Sequence, residues 1–220
     1  MAIDWGTARP FSVGWYTVSD GATLAAKDGW PERNLPAGAV IRYAEWYGSD
    51  GRSNRGLRLS SDQVALGILK REKERNEPDI AYRIGDHQMW AQHDGPSQRE
   101  RMFTATEGRI NLRKSRKDLK ANYAEIIARL AGNPKFSETG ETWEPMFFIT
   151  ANCTEWWRTV PTLVIKQDEP DPDKGPSSGQ ENHCYDETQY ALASRPFTQT
   201  KEEYENIGKP RPRMDPYATA

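Results

Sequence analysis

Asp4, Asp86 and Asp186 are the acids of this 220-residue chain whose settings suggest chemistry. Asp4 interrupts the apolar, β-prone opening MAIDWGTARPFSVGW, although Asp is depleted in strands. Asp86 closes the run IAYRIGD, and open α/β sheets gather their sites at strand C-termini. Asp186 lies in ENHCYDETQYAL, where His183, Asp186 and Tyr190 are three and four residues apart and share one helix face. Three carboxylates brought together repel one another and push a pKa up. A divalent cation removes that repulsion, and an all-oxygen set suits Mg²⁺ or Mn²⁺. Two such ions about 4 Å apart can activate a water and stabilise the leaving oxygen of a phosphodiester. A single Asp at a strand end is ordinarily a turn former or cap, so the elements must decide whether the three meet.

The hydrophobic pattern predicts those elements. Phe11, Val13 and Trp15 alternate with Ser12, Gly14 and Tyr16, the period of a strand. Strands are expected over Ile3–Thr7, Phe11–Val18 and Val40–Tyr47, and then a helix from Ser60-Ser61-Asp62 to about Asn76. A strand over Ile80–Gly85, a helix over Pro96–Glu107 and a strand over Arg109–Leu112 follow. Leu119, Tyr123, Ile126, Ile127 and Leu130 set a helix over Lys117–Ala131. A strand over Met146–Thr150 and helices over Cys153–Val160 and Glu181–Ser194 complete the order. The stretches Gly29–Gly38 and Val164–Gln180 read as loops. Three antiparallel strands followed by β/α alternation imply an α/β fold. Its central mixed sheet has five strands or slightly more, with helices on both faces. One domain is expected over residues 1–196, with a polar, flexible tail over 197–220.

The totals narrow the class. Net charge is -2, so a nucleic-acid partner requires segregated positive charge. Mean hydropathy is -0.88, offset by eight Trp, nine Tyr and six Phe, which carry much core area per residue. Cys153 and Cys184 fit a reducing compartment and lack zinc-ligand spacing. No apolar run approaches the roughly 20 residues of a membrane span, and no signal peptide opens the chain.

Six segments occur in a telling order: DWGxxxPFSVGW at Asp4–Trp15, AEWYG at Ala44–Gly48, NRGLRLS at Asn54–Ser60, IGDHQMW at Ile84–Trp90, CTEWWRTVP at Cys153–Pro161 and NHCYDETQYALASRP at Asn182–Pro196. Together they resemble the C-terminal nuclease domain of the large terminase subunit of tailed bacteriophages. The resemblance spans residues 3–196. It implies a ribonuclease-H-like fold and metal-dependent endonuclease cleavage of concatemeric double-stranded viral DNA during genome packaging. By this resemblance Asp4, Asp86 and Asp186 hold two Mg²⁺ or Mn²⁺ ions and His183 is a further catalytic candidate. The pattern departs at Asn182, where an Asp is common, and at Glu187-Thr188-Gln189, which replace small and basic residues. The implied partners are an ATPase motor domain, the small terminase subunit and the portal ring, in the cytoplasm of the infected host at the procapsid. No GxxxxGK[ST] phosphate loop occurs, so motor activity is not expected of this chain.

Two basic stretches are candidates for the DNA backbone. Arg109, Arg113, Lys114, Arg116, Lys117 and Lys120 fall at a strand-to-helix junction, and Arg52 and Arg55 fall in a polar turn with Arg58. Each is equally readable as a solvated face. Lys70–Arg75, alternating in sign, reads as a salt-bridged helix face. Glu45 is a rival acid kept outside the metal set. His87 reads as a loop residue and Cys184 as core packing. Two alternatives stay open: another ribonuclease-H-like nuclease, such as a junction resolvase, and a domain that binds or docks without cutting.

Overall fold

The computed structural model describes residues 1–25, 32–77, 79–92, 94–116, 118–132, 145–164 and 179–195, with only the backbone at 119 and 120. The domain boundary expected at residue 196, the tail and most of the Val164–Gln180 loop lie outside the described residues.

Six strands form the main sheet in the order β7-β6-β1-β2-β5-β8. These are β1 (Ala2–Asp4), β2 (Ser12–Val18), β5 (Val40–Tyr47), β6 (Arg83–Gly85), β7 (Leu112–Lys114) and β8 (Phe147–Ile149). The first three long runs pair antiparallel, as the sequence implies. β6 and β7 add in parallel beyond β1, and β8 adds in parallel beside β5. β1, β5, β6, β7 and β8 therefore all point one way, so their C-terminal ends share one edge of the sheet. A separate antiparallel pair joins β3 (Thr23–Leu24) to β4 (Arg33–Asn34), and β4 falls in the stretch expected as loop.

Helices α1 (Ser61–Glu74) and α2 (Gln98–Ala105) cover one face, and α3 (Leu119–Ala131), α4 (Thr154–Thr159) and α5 (His183–Ala193) the other. Strand alternation sorts the side chains. Ile3, Val13 and Trp15 are fully buried with Val64 and Ile68 of α1. Asp4, Ser12, Gly14 and Tyr16 face α5: Ser12 Oγ donates to Cys184 Sγ at 3.5 Å, and Tyr16 Oη lies 3.3 Å from Thr188 Oγ1. Helix starts follow local chemistry. Ser60 with Gln63 and Ser97 with Glu100 form capping boxes, and Asp118 Oδ1 accepts the Ala121 N–H at 3.1 Å.

Several boundaries differ from the pattern reading. β1 stops at Asp4 rather than Thr7, because the chain folds back on itself: a Cβ on Gly6 would lie 2.6 Å from Arg9 O. The strand expected over Arg109–Leu112 runs over Leu112–Lys114. Gly108 adopts φ 83, and Thr106 Oγ1 captures the Ile110 N–H at 3.0 Å, which holds the chain in a turn until Leu112. Among the described residues, no helix is long and apolar enough to cross a membrane.

Candidate functional site

Three elements bring the acids near one another at the C-terminal edge of the sheet. Ile3 pairs with Gly85 across β1 and β6, so Asp4 and Asp86 leave the sheet side by side. The Asp86 N–H donates to Ile3 O at 3.1 Å. Helix α5 packs across β1 and β2 and carries Asp186 in its first turn, near enough for the charges of Asp4 and Asp86 to act on it. Asp4 and Asp86 are 6% and 5% exposed, and Asp186 is half-buried.

Each carboxyl has a hydrogen-bonding neighbour. His183 Nδ1 lies 2.9 Å from Asp4 Oδ2, and the Tyr190 hydroxyl donates to Asp4 Oδ1 at 3.5 Å. Asp186 Oδ2 accepts from Asn182 Nδ2 at 2.8 Å. Asp86 Oδ1 accepts the Gln88 N–H at 3.2 Å and lies 3.0 Å from His87 Nδ1. No Arg or Lys among the described residues pairs with any of the three. Burial first, and the charge of Asp86 second, hold the Asp4 carboxyl well above the usual range. Burial, and then the charge of Asp4, do the same for Asp186. Burial lowers the pKa of His183, against the pull of Asp186. Asp4 and Asp86, with the half-buried Asp186, thus form a group of acids of like charge without a compensating cation among the described residues.

The donor set fits a hard divalent ion in chemistry: carboxylate oxygens, mutual repulsion and low exposure. In the arrangement described, Asp4 is engaged by His183 and Tyr190, and Asp186 by Asn182. Among the described residues no three His, Cys, Asp or Glu side chains close on one point. Asn182, the departure from the expected pattern, acts here as a donor to Asp186 and adds no further repulsion.

The remaining candidates separate clearly. Glu45 accepts the N–H groups of Glu155 and Trp156 at 2.6 and 3.2 Å, capping α4, and pairs with Arg42 at 2.5 Å. It stays outside the acid cluster. Cys184 is buried and its thiol is pushed up to about 12 by burial, as expected of a packing residue. Lys70 and Glu74 pair at 3.8 Å on the α1 surface. Arg113, Lys114 and Arg116 are exposed at the C-terminal end of β7, whereas Arg109 donates Nε to Thr106 O at 3.3 Å before the strand begins. Arg52 is exposed, and Arg55 is paired with Asp50 at 3.0 Å. Lys117 and the Lys120 side chain lie outside the described residues.

Two residues were missed by pattern. Asn54, at φ 53 in the turn closed by the Ser49–Gly56 bridge, places Oδ1 3.1 Å from His183 Nε2. Its sequence signals are its place at the head of the NRGLRLS segment and the tolerance of Asn for the left-handed region. Glu187 is fully buried against Arg42 at 2.9 Å, and Gly14 leaves room for it. Its signals were an Arg and a Gly placed inside strands.

Two solved structures share this architecture, both of the large terminase from a thermophilic bacteriophage. Crystal form 2 of that protein aligns with a TM-score of 0.57 at 12% identity, over 88% of this chain and 38% of that one. Crystal form 3 gives a TM-score of 0.53 at 15% identity over the same shares. The chain therefore spans 38% of the length of the terminase chains it matches. No protein-family model and no curated protein matches the chain. At these identities the likeness is one of fold, and the expected ribonuclease-H-like α/β class is borne out at that level.

Proposed function

We propose that this chain is the nuclease portion of a phage large terminase: an endonuclease, dependent on Mg²⁺ or Mn²⁺, that cuts concatemeric double-stranded viral DNA during packaging with little sequence preference. One observation carries the reading. Carboxyls from β1, the end of β6 and α5, two of them buried, stand in one another's field without a counter-cation among the described residues, in a fold shared with a large terminase.

In this reading Asp4, Asp86 and Asp186 would hold two divalent ions. When bound, these supply an activated water and charge stabilisation for in-line phosphodiester hydrolysis. The chain's own groups set the stage. The Tyr190 hydroxyl and His183 Nδ1 fix the plane of the Asp4 carboxyl, and Asn182 fixes that of Asp186. Burial lowers the pKa of the His183 imidazole, whose ring is held between Asp4 Oδ2 and Asn54 Oδ1. Burial of Asp4 and Asp86 keeps bulk water from screening their charge. The ATPase motor, small terminase subunit and portal ring are the partners this role calls for, in the cytoplasm of the infected bacterium at the procapsid.

Plasmid nicking in Mn²⁺, Mg²⁺ or EDTA tests the reading. The parent should nick with metal, and Asp4→Ala, Asp86→Ala and Asp186→Ala should not. A parent that cuts only four-way junctions, or an alanine variant that nicks like the parent, contradicts it.

A further inference from the structure

The shared C-terminal edge of the sheet carries acids in its middle and, at its β7 end, cations that have no acidic partner among the described residues. In strand order β7 is two places from β1. Strands lie about 4.8 Å apart, so β7 stands roughly 10 Å from the strand of Asp4. Gly85 is paired with Lys114, so the chain leaves β7 beside Asp86. There a groove of about 330 Å³ opens between β7 and α5, with Arg113, Lys114, Ser115, Arg116 and Tyr190 among its walls.

The groove has the marks of an anion seat. Some other surface cations are neutralised, as Arg101 is by Asp62 and Arg158 by Glu155 and Glu181. Arg113, Lys114 and Arg116 have no acidic partner among the described residues. Arg113 instead lies 5.2 Å from the Tyr82 ring centroid and Lys114 5.9 Å from that of Trp90, contacts that orient a cation and leave its charge intact. Ser115 anchors the wall by donating its N–H to Gly85 O at 3.0 Å, and its Oγ is buried with no hydrogen-bond partner among the described residues. Tyr190 joins the groove to the site, because its hydroxyl donates to Asp4.

We propose that this groove seats a backbone phosphate of the DNA duplex, about three base pairs from the bond held over the acids, given a rise of about 3.4 Å per base pair. The inference rests on the nuclease reading above. Arg113 and Arg116 offer planar forks to phosphate oxygens and Lys114 a point charge. Such contacts fix the position of the duplex and read no sequence. Arg109, in the same basic run, takes no part, since it is bonded back to Thr106 ahead of the strand.

Fluorescence anisotropy of a short duplex across about 50–200 mM salt tests this, with cleavage suppressed by EDTA. The variants are Arg113→Ala/Arg116→Ala, Lys114→Gln and Arg109→Ala, each with its fold checked by thermal melting. The slope of log K against log salt should fall by about 2 in the double variant and about 1 in Lys114→Gln, and stay unchanged in Arg109→Ala. If the parent binds and nicks but the double variant keeps the parental slope, the groove is overturned and the nuclease reading stands. If the parent neither binds nor nicks, the nuclease reading falls and the groove with it.

Discussion

Gly14→Ala probes how α5, and with it Asp186, is seated on the sheet. An ideal Cβ at Gly14 would press on Glu187 Oε1 and lie 2.7 Å from both Cδ and Oε2. A carboxylate at the end of a flexible side chain would ordinarily swing aside. Glu187 has no such freedom: it is fully buried, and Arg42 Nη2 holds Oε2 at 2.9 Å. Arg42 is itself fully buried and tied to Glu45 and to the Tyr16 hydroxyl. Overpacking of this kind costs about 1–3 kcal/mol, and loosening a buried ion pair adds to that, with complete loss of one partner costing about 3–5 kcal/mol. The strand gains about 0.5–1 kcal/mol from replacing Gly. A net loss of about 2–3 kcal/mol follows, or roughly 4–12 °C in Tm for a chain of this size. In a Glu187→Ala background the clash is gone, so the same substitution should become neutral or stabilising by about 0.5–1 kcal/mol. Urea unfolding of the four proteins measures the cycle. An equal cost of Gly14→Ala in both backgrounds would refute the argument that Glu187 is locked in place.

The metal-free protein should lose stability as pH rises. Asp4, Asp186 and Glu187 all have folded pKa values above their unfolded ones, so between those values the native state holds protons that the unfolded chain does not. Stability is then greatest near the unfolded carboxyl range of about 4 and declines as pH climbs through the raised values. His183, lowered by burial, opposes this only below about 6.5. The Met1 ammonium, lowered to about 6 by burial, also opposes it up to its unfolded value near 8. Replacing Asp4 or Asp186 by Asn should therefore flatten the fall of the urea midpoint with rising pH in EDTA, and a divalent cation should raise the parent's midpoint at high pH; a pH profile unchanged by both substitutions counts against the buried acid cluster. Glu45→Ala removes the charged cap of α4 and one partner of Arg42, so it should cost about 2 kcal/mol by thermal melting. It should leave divalent-ion binding intact, and lost binding would return Glu45 to the acid set.

How much the sequence disclosed depends on the range of each signal. Alternation set Phe11, Val13 and Trp15 apart from Ser12, Gly14 and Tyr16, and the first three lie in the core; helical spacing grouped His183, Asp186 and Tyr190. These periods are local, and tertiary packing preserved them. The two contacts that hold the site in shape are not local. Asn54 reaches His183 across 129 positions, and Arg42 reaches Glu187 across 145. The first needs a left-handed backbone and the second a side chain's absence at Gly14, neither of which leaves a periodic trace. The slip of β7 to Leu112–Lys114 has a similar source, since a hydroxyl of Thr106 overrides the strand propensity of Ile110. That slip matters for function, because it carries Arg113, Lys114 and Arg116 to the edge of the sheet where Asp86 emerges.

Whether Asp4, Asp86 and Asp186 act as one cation-binding centre is tested most directly by Mn²⁺ titration at pH 8 followed by electron paramagnetic resonance. The parent should bind Mn²⁺, and Asp4→Asn, Asp86→Asn and Asp186→Asn should each weaken binding at least about tenfold while Glu45→Gln matches the parent. Parental affinity in any one of the three aspartate variants would contradict the shared centre.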